Sequence, residues 1–261
     1  MRAAFHATSA PWFHRSLLAA ALLAVSANAN ALNTFTFDPT VVGLTGAAFT
    51  ADNLLISDYA TVTLTSPTSF TETGFLSVTG AQLNSNTLSL GGLNSTYSLY
   101  IAFTAAGTLS GGNPVTSIVT GSFTSLSYTL YAYNGTASFG FSGTTPTTTA
   151  TSPVALATGS IISGGVASIP GGGTFSPSAS ATVTVGGVSP AFTAPAGFYS
   201  EAQTSFTNTN SQVQLFAGGF MVQQGGGTVN FAAPVPEPMT SALLLSGLGV
   251  VGFLARRRIN R

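Results

Sequence analysis

The chain has 261 residues, no cysteine and a charged fraction of only 5%. Its six basic side chains and both histidines lie before residue 16 or after residue 255, so residues 32–234 carry acids as their only charges. This central part lacks the groups for a Ser-His-Asp or Cys-His nucleophile, a Schiff base, a typical zinc site or the neutralisation of nucleic-acid phosphates. We therefore expect a protein that is not an enzyme, needs no cofactor or metal and does not bind nucleic acid.

Residues 1–31 have the pattern of a signal peptide. Basic and histidine side chains at positions 2, 6, 14 and 15 precede an apolar run over residues 16–25, which is too short to span a bilayer. The A-x-A sequence Ala29-Asn30-Ala31 follows, and residues 27–29 offer an alternative cleavage site. We predict export, cleavage by signal peptidase and a mature chain that begins near Leu32.

Residues 32–234 show the alternation that is typical of strands in a single domain. Apolar side chains occupy every second position in several segments, which places them on one face of a sheet. These positions are Ala60, Val62 and Leu64; Tyr97, Leu99, Ile101, Phe103 and Ala105; Leu126, Tyr128, Leu130 and Ala132; Val183 and Val185; and Val229 and Phe231. The alternation that starts at Phe123 loses its phase near residue 125, which indicates a β-bulge. We predict an all-β fold, an antiparallel β-sandwich-like domain.

Two segments between the predicted strands carry turn signals. Asn134-Gly135 precedes "TASFGF" and predicts a type I′ hairpin, because both turn positions require a positive φ. The Pro/Thr-rich residues 143–155 predict an exposed loop or a hinge between two halves of the sheet system.

The central part contains five acidic side chains, Asp38, Asp52, Asp58, Glu72 and Glu201. A glycoside hydrolase needs only two carboxyl groups, but nothing in the sequence brings two of these together. Asp38, Asp52 and Asp58 are an alternative calcium site, since calcium prefers oxygen ligands, although a D-x-D-x-D-G loop is missing. We favour the interpretation that these acids are isolated and solvated at the surface.

Residues 235–261 combine three features in a fixed order. They are the triplet Pro236, Glu237 and Pro238, the apolar segment 239–255, and the basic cluster Arg256, Arg257 and Arg258. The prolines keep the triplet extended, so a protease can reach it. As a helix, the apolar segment is about 25 Å long, just enough for a hydrocarbon core of about 30 Å. The arginines would stop transfer and stay in the cytoplasm, so we predict a C-terminal transmembrane sorting helix over 239–255.

This order of features resembles the PEP-CTERM sorting signal of Gram-negative, biofilm-forming bacteria. The resemblance covers residues 235–261 and implies an exosortase, a membrane protease that cleaves near Pro236-Glu237-Pro238. It also implies export through the inner membrane, transient anchoring by the C-terminal helix and delivery to the cell surface or the extracellular matrix. The resemblance further implies exopolysaccharide production, which usually accompanies the exosortase system. The segments "NTFTFDPT", "TYSLYIAFTAAGT" and "SFTSLSYTLYAY" are similar to stretches of the flocculation-associated PEP-CTERM proteins, which help cells to aggregate into flocs.

We therefore expect a cell-surface or matrix protein that promotes floc or biofilm formation in association with exopolysaccharide or by self-association. Because the central part lacks cations, contacts with anionic surfaces would use hydrogen bonds, tyrosine rings, bound calcium or paired sheet edges. Tyr100, Tyr131 and Tyr133 are candidate glycan contacts, since they lie opposite the apolar face. The alternatives are a soluble carbohydrate-binding module and a glycan hydrolase that uses carboxylates alone.

Overall fold

The computed structural model describes residues 32–110, 117–171 and 174–232. The predicted signal peptide and the predicted sorting helix lie outside these residues. Within them, no helix is long and apolar enough to cross a bilayer.

Most of the described chain consists of strands, as the alternation predicted. In chain order they are β1 (Phe35–Phe37), β2 (Phe49–Ala51), β3 (Asn53–Ser66), β4 (Ser69–Leu83), β5 (Asn86–Thr87), β6 (Tyr97–Ser110), β7 (Val119–Asn134), β8 (Phe139–Ser142), β9 (Thr145–Thr148), β10 (Val154–Gly171), β11 (Thr174–Thr184), β12 (Phe192–Ala194), β13 (Glu201–Thr207), β14 (Val213–Phe216) and β15 (Gly219–Ala232). Two short 3-10 helices lie at Pro39–Val42 and Asn210–Gln212.

Eight of these strands form a closed, barrel-like antiparallel sheet. Their order is β3-β4-β6-β7-β10-β11-β13-β15, and β15 pairs back with β3. The all-β, antiparallel prediction is confirmed, but the sandwich-like arrangement is corrected to one closed sheet. The reason is that β13 pairs with both β11 and β15, which joins the two sheets that a sandwich would keep apart.

Bulges help this sheet to curve. In the pairing of β6 with β7, Ala106 faces Ser125 but Gly107 faces Phe123, so Thr124 is the extra residue. This register shift confirms the predicted loss of phase near residue 125. A second bulge lies at Gln224 of β15, where φ is 62°. Bulges bend a strand and increase its twist, which a sheet of eight strands needs in order to close.

The predicted apolar faces point into the closed sheet and form two clusters. The larger cluster includes Leu54, Ile56, Leu76, Leu99, Ile101, Leu130, Val183, Val229 and Phe231. The smaller cluster consists of Val62, Phe70, Phe220 and Val222. A separate three-stranded sheet, β12-β1-β2, packs its phenylalanines against the larger cluster.

The predicted hairpin at Asn134-Gly135 is wrong. β8, which follows it, pairs with β9 rather than with β7. Gly135 has a φ of 112°, but Asn134 does not have the positive φ that a type I′ turn requires. Instead, the Gly135 N–H donates to the Thr96 carbonyl oxygen at 2.8 Å, and the chain leaves the sheet there.

The Pro/Thr-rich residues 143–155 also differ from the prediction of a loop or hinge. Part of the segment forms β9, which pairs with β8 across a turn where Gly143 has a φ of 61°. The Thr61 hydroxyl of β3 donates to the Thr144 carbonyl oxygen at 2.5 Å, which attaches this hairpin to the outer face of the closed sheet.

Gly159 allows close packing on the inner face. The Tyr128 ring of β7 lies against Gly159 of β10, and its hydroxyl donates to the Thr184 carbonyl oxygen of β11 at 2.9 Å. A Cβ at position 159 would overlap that carbonyl oxygen and the Tyr128 ring. We predict that Gly159→Ala lowers the free energy of unfolding by about 3 kcal/mol, since backbone atoms have to move.

Chemical denaturation measures this loss, and Gly140→Ala is the matched control. A Cβ at Gly140 has no neighbour within 4 Å, and its φ is not in the left-handed region. The control is expected to change stability by less than about 1 kcal/mol. Equal unfolding midpoints for the two variants would contradict the close approach at Gly159.

Candidate functional site

Two carboxyl groups lie inside the closed sheet, where the two apolar clusters meet. Asp58 lies on β3 and Glu72 on β4. Along its strand, each of them has residues of the larger cluster on one side and residues of the smaller cluster on the other side. Asp58 is only 4% exposed, and Glu72 is half-buried. The inward positions between them are Ala60 and Gly74, which face each other and carry almost no side chain. The two carboxyl groups therefore share one polar region within an apolar interior.

The environment of this pair favours the protonated form. Burial raises the pKa of Asp58 well above its usual value, and the negative charge of Glu72 raises it further. Burial raises the pKa of Glu72 to about 7. Residues 32–232 contain no lysine, arginine or histidine that would offset these effects. The pair therefore retains protons near neutral pH unless a cation arrives from outside.

Both carboxyl groups line two interior cavities of about 60 Å³ each. The first extends into the smaller cluster and the second into the larger cluster, where the Tyr128 ring forms part of the wall. A water needs at least about 10–15 Å³ of such space, so each cavity has room for a few waters. Apart from the acids, the walls are mainly aliphatic and aromatic.

A buried amide completes the polar region. Asn208 is 4% exposed, lines the first cavity, and its Oδ1 has no hydrogen-bond partner; Asp58 Oδ1 also lacks one. The Asn208 backbone is fixed, because its N–H donates to the Pro177 carbonyl oxygen at 3.1 Å. A Cβ at Gly225 would overlap Asn208 Oδ1, and Gly225 faces Asp58 in the pairing of β15 with β3. The amide oxygen and the Asp58 carboxyl group therefore lie beside each other.

The structure changes the interpretation of the acidic residues. The favoured interpretation of solvated, separate acids is wrong for Asp58 and Glu72, which the curvature of the closed sheet brings together. It is also wrong for Asp52, which is only 3% exposed. The alternative calcium set of Asp38, Asp52 and Asp58 is not assembled: Asp38 accepts the Thr40 N–H at 2.9 Å, and Asp52 accepts the Asn84 N–H at 2.6 Å. The described residues contain no group of three or more acidic or histidine side chains suited to a metal ion.

An outer aromatic strip contains two of the predicted glycan contacts. It consists of Tyr59, Phe75, Tyr100, Tyr131 and Phe139, on the outer face of β3, β4, β6 and β7 and on the β8–β9 hairpin. The Tyr100 ring stacks on Tyr131 at 5.3 Å and contacts Phe139 at 5.4 Å.

Burial distinguishes the three predicted tyrosines. Tyr100 is 3% exposed, and burial, followed by the neighbouring Tyr131, raises its pKa to about 12. Its covered ring argues against contact with a sugar. Tyr131 and Tyr133 are half-buried on the same face, and for them the glycan contact stays a prediction.

An open groove of about 750 Å³ adjoins this strip, and we call it the glutamine groove. Its lining includes the rings of Tyr59, Phe139 and Phe141 and the side chains of Gln212, Gln214, Gln223 and Gln224. Hydrogen bonds position the amides: Gln223 Nε2 donates to Gln214 Oε1 at 2.9 Å, and Gln212 Nε2 donates to the Gln224 carbonyl oxygen at 2.6 Å. No charged residue lines the groove. Aromatic rings beside amides suit a neutral, hydroxyl-rich ligand.

Neither region was found from the sequence, although each left a signal there. Extending the alternation of Ala60 and Val62 backwards by one step places Asp58 on the inward face. The glutamine groove is signalled by four glutamines between residues 212 and 224, in a chain that is otherwise poor in long polar side chains.

Comparison with known protein families matches residues 234–258 to the PEP-CTERM protein-sorting motif. No curated protein and no solved structure matches the chain. The motif implies an exosortase as the processing partner and a C-terminal membrane anchor before processing. The resemblance of the central segments to flocculation-associated proteins stays a prediction. The chain therefore carries a PEP-CTERM sorting motif at its C-terminus, which indicates an exported surface protein that is processed by an exosortase.

Proposed function

We propose that this protein promotes bacterial aggregation by binding exopolysaccharide at the cell surface or in the extracellular matrix. The observation that supports the proposal is the glutamine groove, which offers aromatic rings and fixed amides to a ligand and has no charged lining residue. A protein domain without cations cannot hold an anionic polymer by charge attraction, so neutral hydroxyl groups are the better match.

A glycan hydrolase is less well supported, although two carboxyl groups lie together. The cavities beside Asp58 and Glu72 are about 60 Å³ each, whereas an engineered protein cavity that binds benzene has about 150 Å³. A sugar ring with its hydroxyl groups is larger than benzene. We therefore propose a binding role without turnover.

We expect that exopolysaccharide binding depends on Phe141 and Gln223. Phe141 is half-buried in the groove and Gln223 is exposed there, so the double variant Phe141→Ala/Gln223→Ala removes a ring face and an amide while leaving the interior untouched. Lost contacts worth about 1.4 kcal/mol weaken binding tenfold. Co-sedimentation of the protein with purified exopolysaccharide measures the change.

Gln203→Ala is the matched control, because Gln203 is exposed on β13 and does not line the glutamine groove. It is expected to bind like the unaltered protein. Sedimentation of the protein alone, without exopolysaccharide, would favour self-association over the proposed mode. Equal binding by the double variant and the control would contradict the role of the groove.

The sorting motif leads to a second expected result. Replacing Pro236, Glu237 and Pro238 with alanine should block processing, so that the protein keeps its C-terminal segment and stays with the membrane fraction. Intact mass and cell fractionation measure both effects, and Thr240→Ala is the control outside the triplet. Release of the triple variant with the mass of the normally processed protein would contradict exosortase cleavage at this triplet.

A further inference from the structure

The interior polar region contains two buried oxygen atoms that have no hydrogen-bond partner. Asn208 Oδ1 and Asp58 Oδ1 are buried without a partner, and Glu72 lines the same two cavities. An ionised, buried carboxyl group is costly unless a cation or several donors offset its charge. Residues 32–232 contain no basic side chain, so the ionised pair can be compensated only by a cation from solution.

We propose that Asp58, Glu72 and Asn208 form an internal binding site for a divalent cation of the calcium type. Calcium prefers six to eight oxygen ligands, and carboxylates, amide carbonyls and waters all serve. The two carboxylates supply two to four oxygen atoms, Asn208 supplies one, and the cavities supply space for waters on both sides. This set differs from the one expected from the sequence, since it shares only Asp58 with it.

The size of the interior decides between an ion and an organic ligand. Each cavity has about 60 Å³, which holds a few waters but is less than half of a cavity that binds benzene. An ion with a few waters therefore fits this space better than an organic molecule.

Gly225 leaves the space that the Asn208 amide oxygen occupies. Any larger residue would displace Asn208 Oδ1 from its place beside Asp58, because a Cβ would overlap that oxygen. The fixed backbone of Asn208 keeps the amide in the first cavity. The third ligand is thus held in place before a cation arrives, which lowers the ordering cost of binding.

Protons compete with the cation for the same oxygen atoms. The only titratable groups among the cavity-lining residues are Asp58, Glu72 and Tyr128. Tyr128 donates to the Thr184 carbonyl oxygen, and burial raises its pKa, so the phenol stays neutral. Binding therefore releases protons from the two carboxyl groups, and affinity should increase as the pH rises through about 7, where Glu72 titrates.

The test uses the full chain, expressed with its leader and tail and purified as the cell leaves it. Calorimetric titration with CaCl₂ at pH 8 should show one site per chain with a Kd of about 10⁻⁴ to 10⁻³ M, the range of extracellular calcium modules. Tb³⁺ luminescence, excited through tyrosine, gives a second readout, because Tyr128 lines the second cavity. Excess Ca²⁺ should displace Tb³⁺ from the site and abolish its luminescence.

Asp58→Asn, Glu72→Gln and Asn208→Leu should each weaken calcium binding by about tenfold or more, a loss typical of metal-site changes. Glu201→Gln, at an outward position of β13, should leave it unchanged. Because the first two variants remove buried charge, they should unfold no earlier than the unaltered protein in a chelator, which separates lost binding from lost folding.

Several results would overturn the proposal. One is the absence of calcium heat and of Tb³⁺ luminescence at pH 8 in a folded protein. Another is binding that survives all three interior variants but is lost in Glu201→Gln, which would indicate a surface ion only. A third is an unfolding temperature that changes with pH in the same way with and without calcium. This result would indicate that the two carboxyl groups bind protons and no calcium.

Discussion

Phe35→Ala is expected to lower the free energy of unfolding by about 4 kcal/mol, in the range found for phenylalanine truncations in well-packed cores. Phe35 is 1% exposed and joins the small β12-β1-β2 sheet to the closed sheet. Its ring lies 5.0 Å from Phe231, 6.1 Å from Phe192 and 6.3 Å from Phe49. Truncation leaves a cavity among rings that cannot easily collapse, because three strands hold them apart.

Thermal and denaturant unfolding measure this loss, and we expect a fall in Tm of about 10 °C for a domain of this size. Leu215→Ala is the control, because Leu215 is 51% exposed on β14, and its change should stay within about 0.5 kcal/mol. If the two variants unfold at the same midpoint, the small sheet does not stabilise the domain in the way described.

The acid pair should make the protein less stable as the pH rises. A carboxyl group whose pKa is higher in the folded protein than in the unfolded chain binds more protons when folded. Its contribution is therefore fully present below the unfolded pKa and is lost as the pH rises through the folded pKa. For Glu72 the pKa rises from 4.5 to about 7, so the window runs from about pH 4 to above pH 7. The loss from Glu72 is about 3 kcal/mol at most.

Glu72→Gln should remove this loss of stability at high pH. In a chelator, we expect its Tm to exceed that of the unaltered protein by about 6 to 10 °C at pH 8 and to match it at pH 4. Asp58→Asn should act in the same direction, because the pKa of Asp58 is also raised by burial and by Glu72. Glu201→Gln is the control and should follow the unaltered protein at both pH values. Parallel Tm curves for Glu72→Gln and the unaltered protein would contradict a carboxyl group that is protonated by burial.

The period-two alternation predicted much of the local structure but not the partners of the strands. It placed Leu99, Ile101 and Leu130 on inward faces and predicted a bulge near residue 125, where the structure has Thr124 as the extra residue. Alternation tells which face a side chain takes, whereas the partner of a strand depends on contacts far along the chain. The closure rests on residues 201–207 pairing with residues 226–232, which no local pattern specifies.

The predicted turn and the predicted acids failed for similar reasons. Asn134-Gly135 has a strong hairpin sequence, but the Gly135 N–H bonds to Thr96, so a tertiary contact overrides the local preference. Asp58 lies on β3 and Glu72 on β4, with neither directly opposite the other. Only the curvature of the closed sheet lets both carboxyl groups line the same cavities.

The closure of the sheet has a consequence for contacts between copies of the protein. Within the described residues, free strand edges belong mainly to short elements such as β14 and the β8–β9 hairpin, so neighbouring copies find little backbone on which to extend a fibril. Any contact between copies then has to use side chains rather than paired strands.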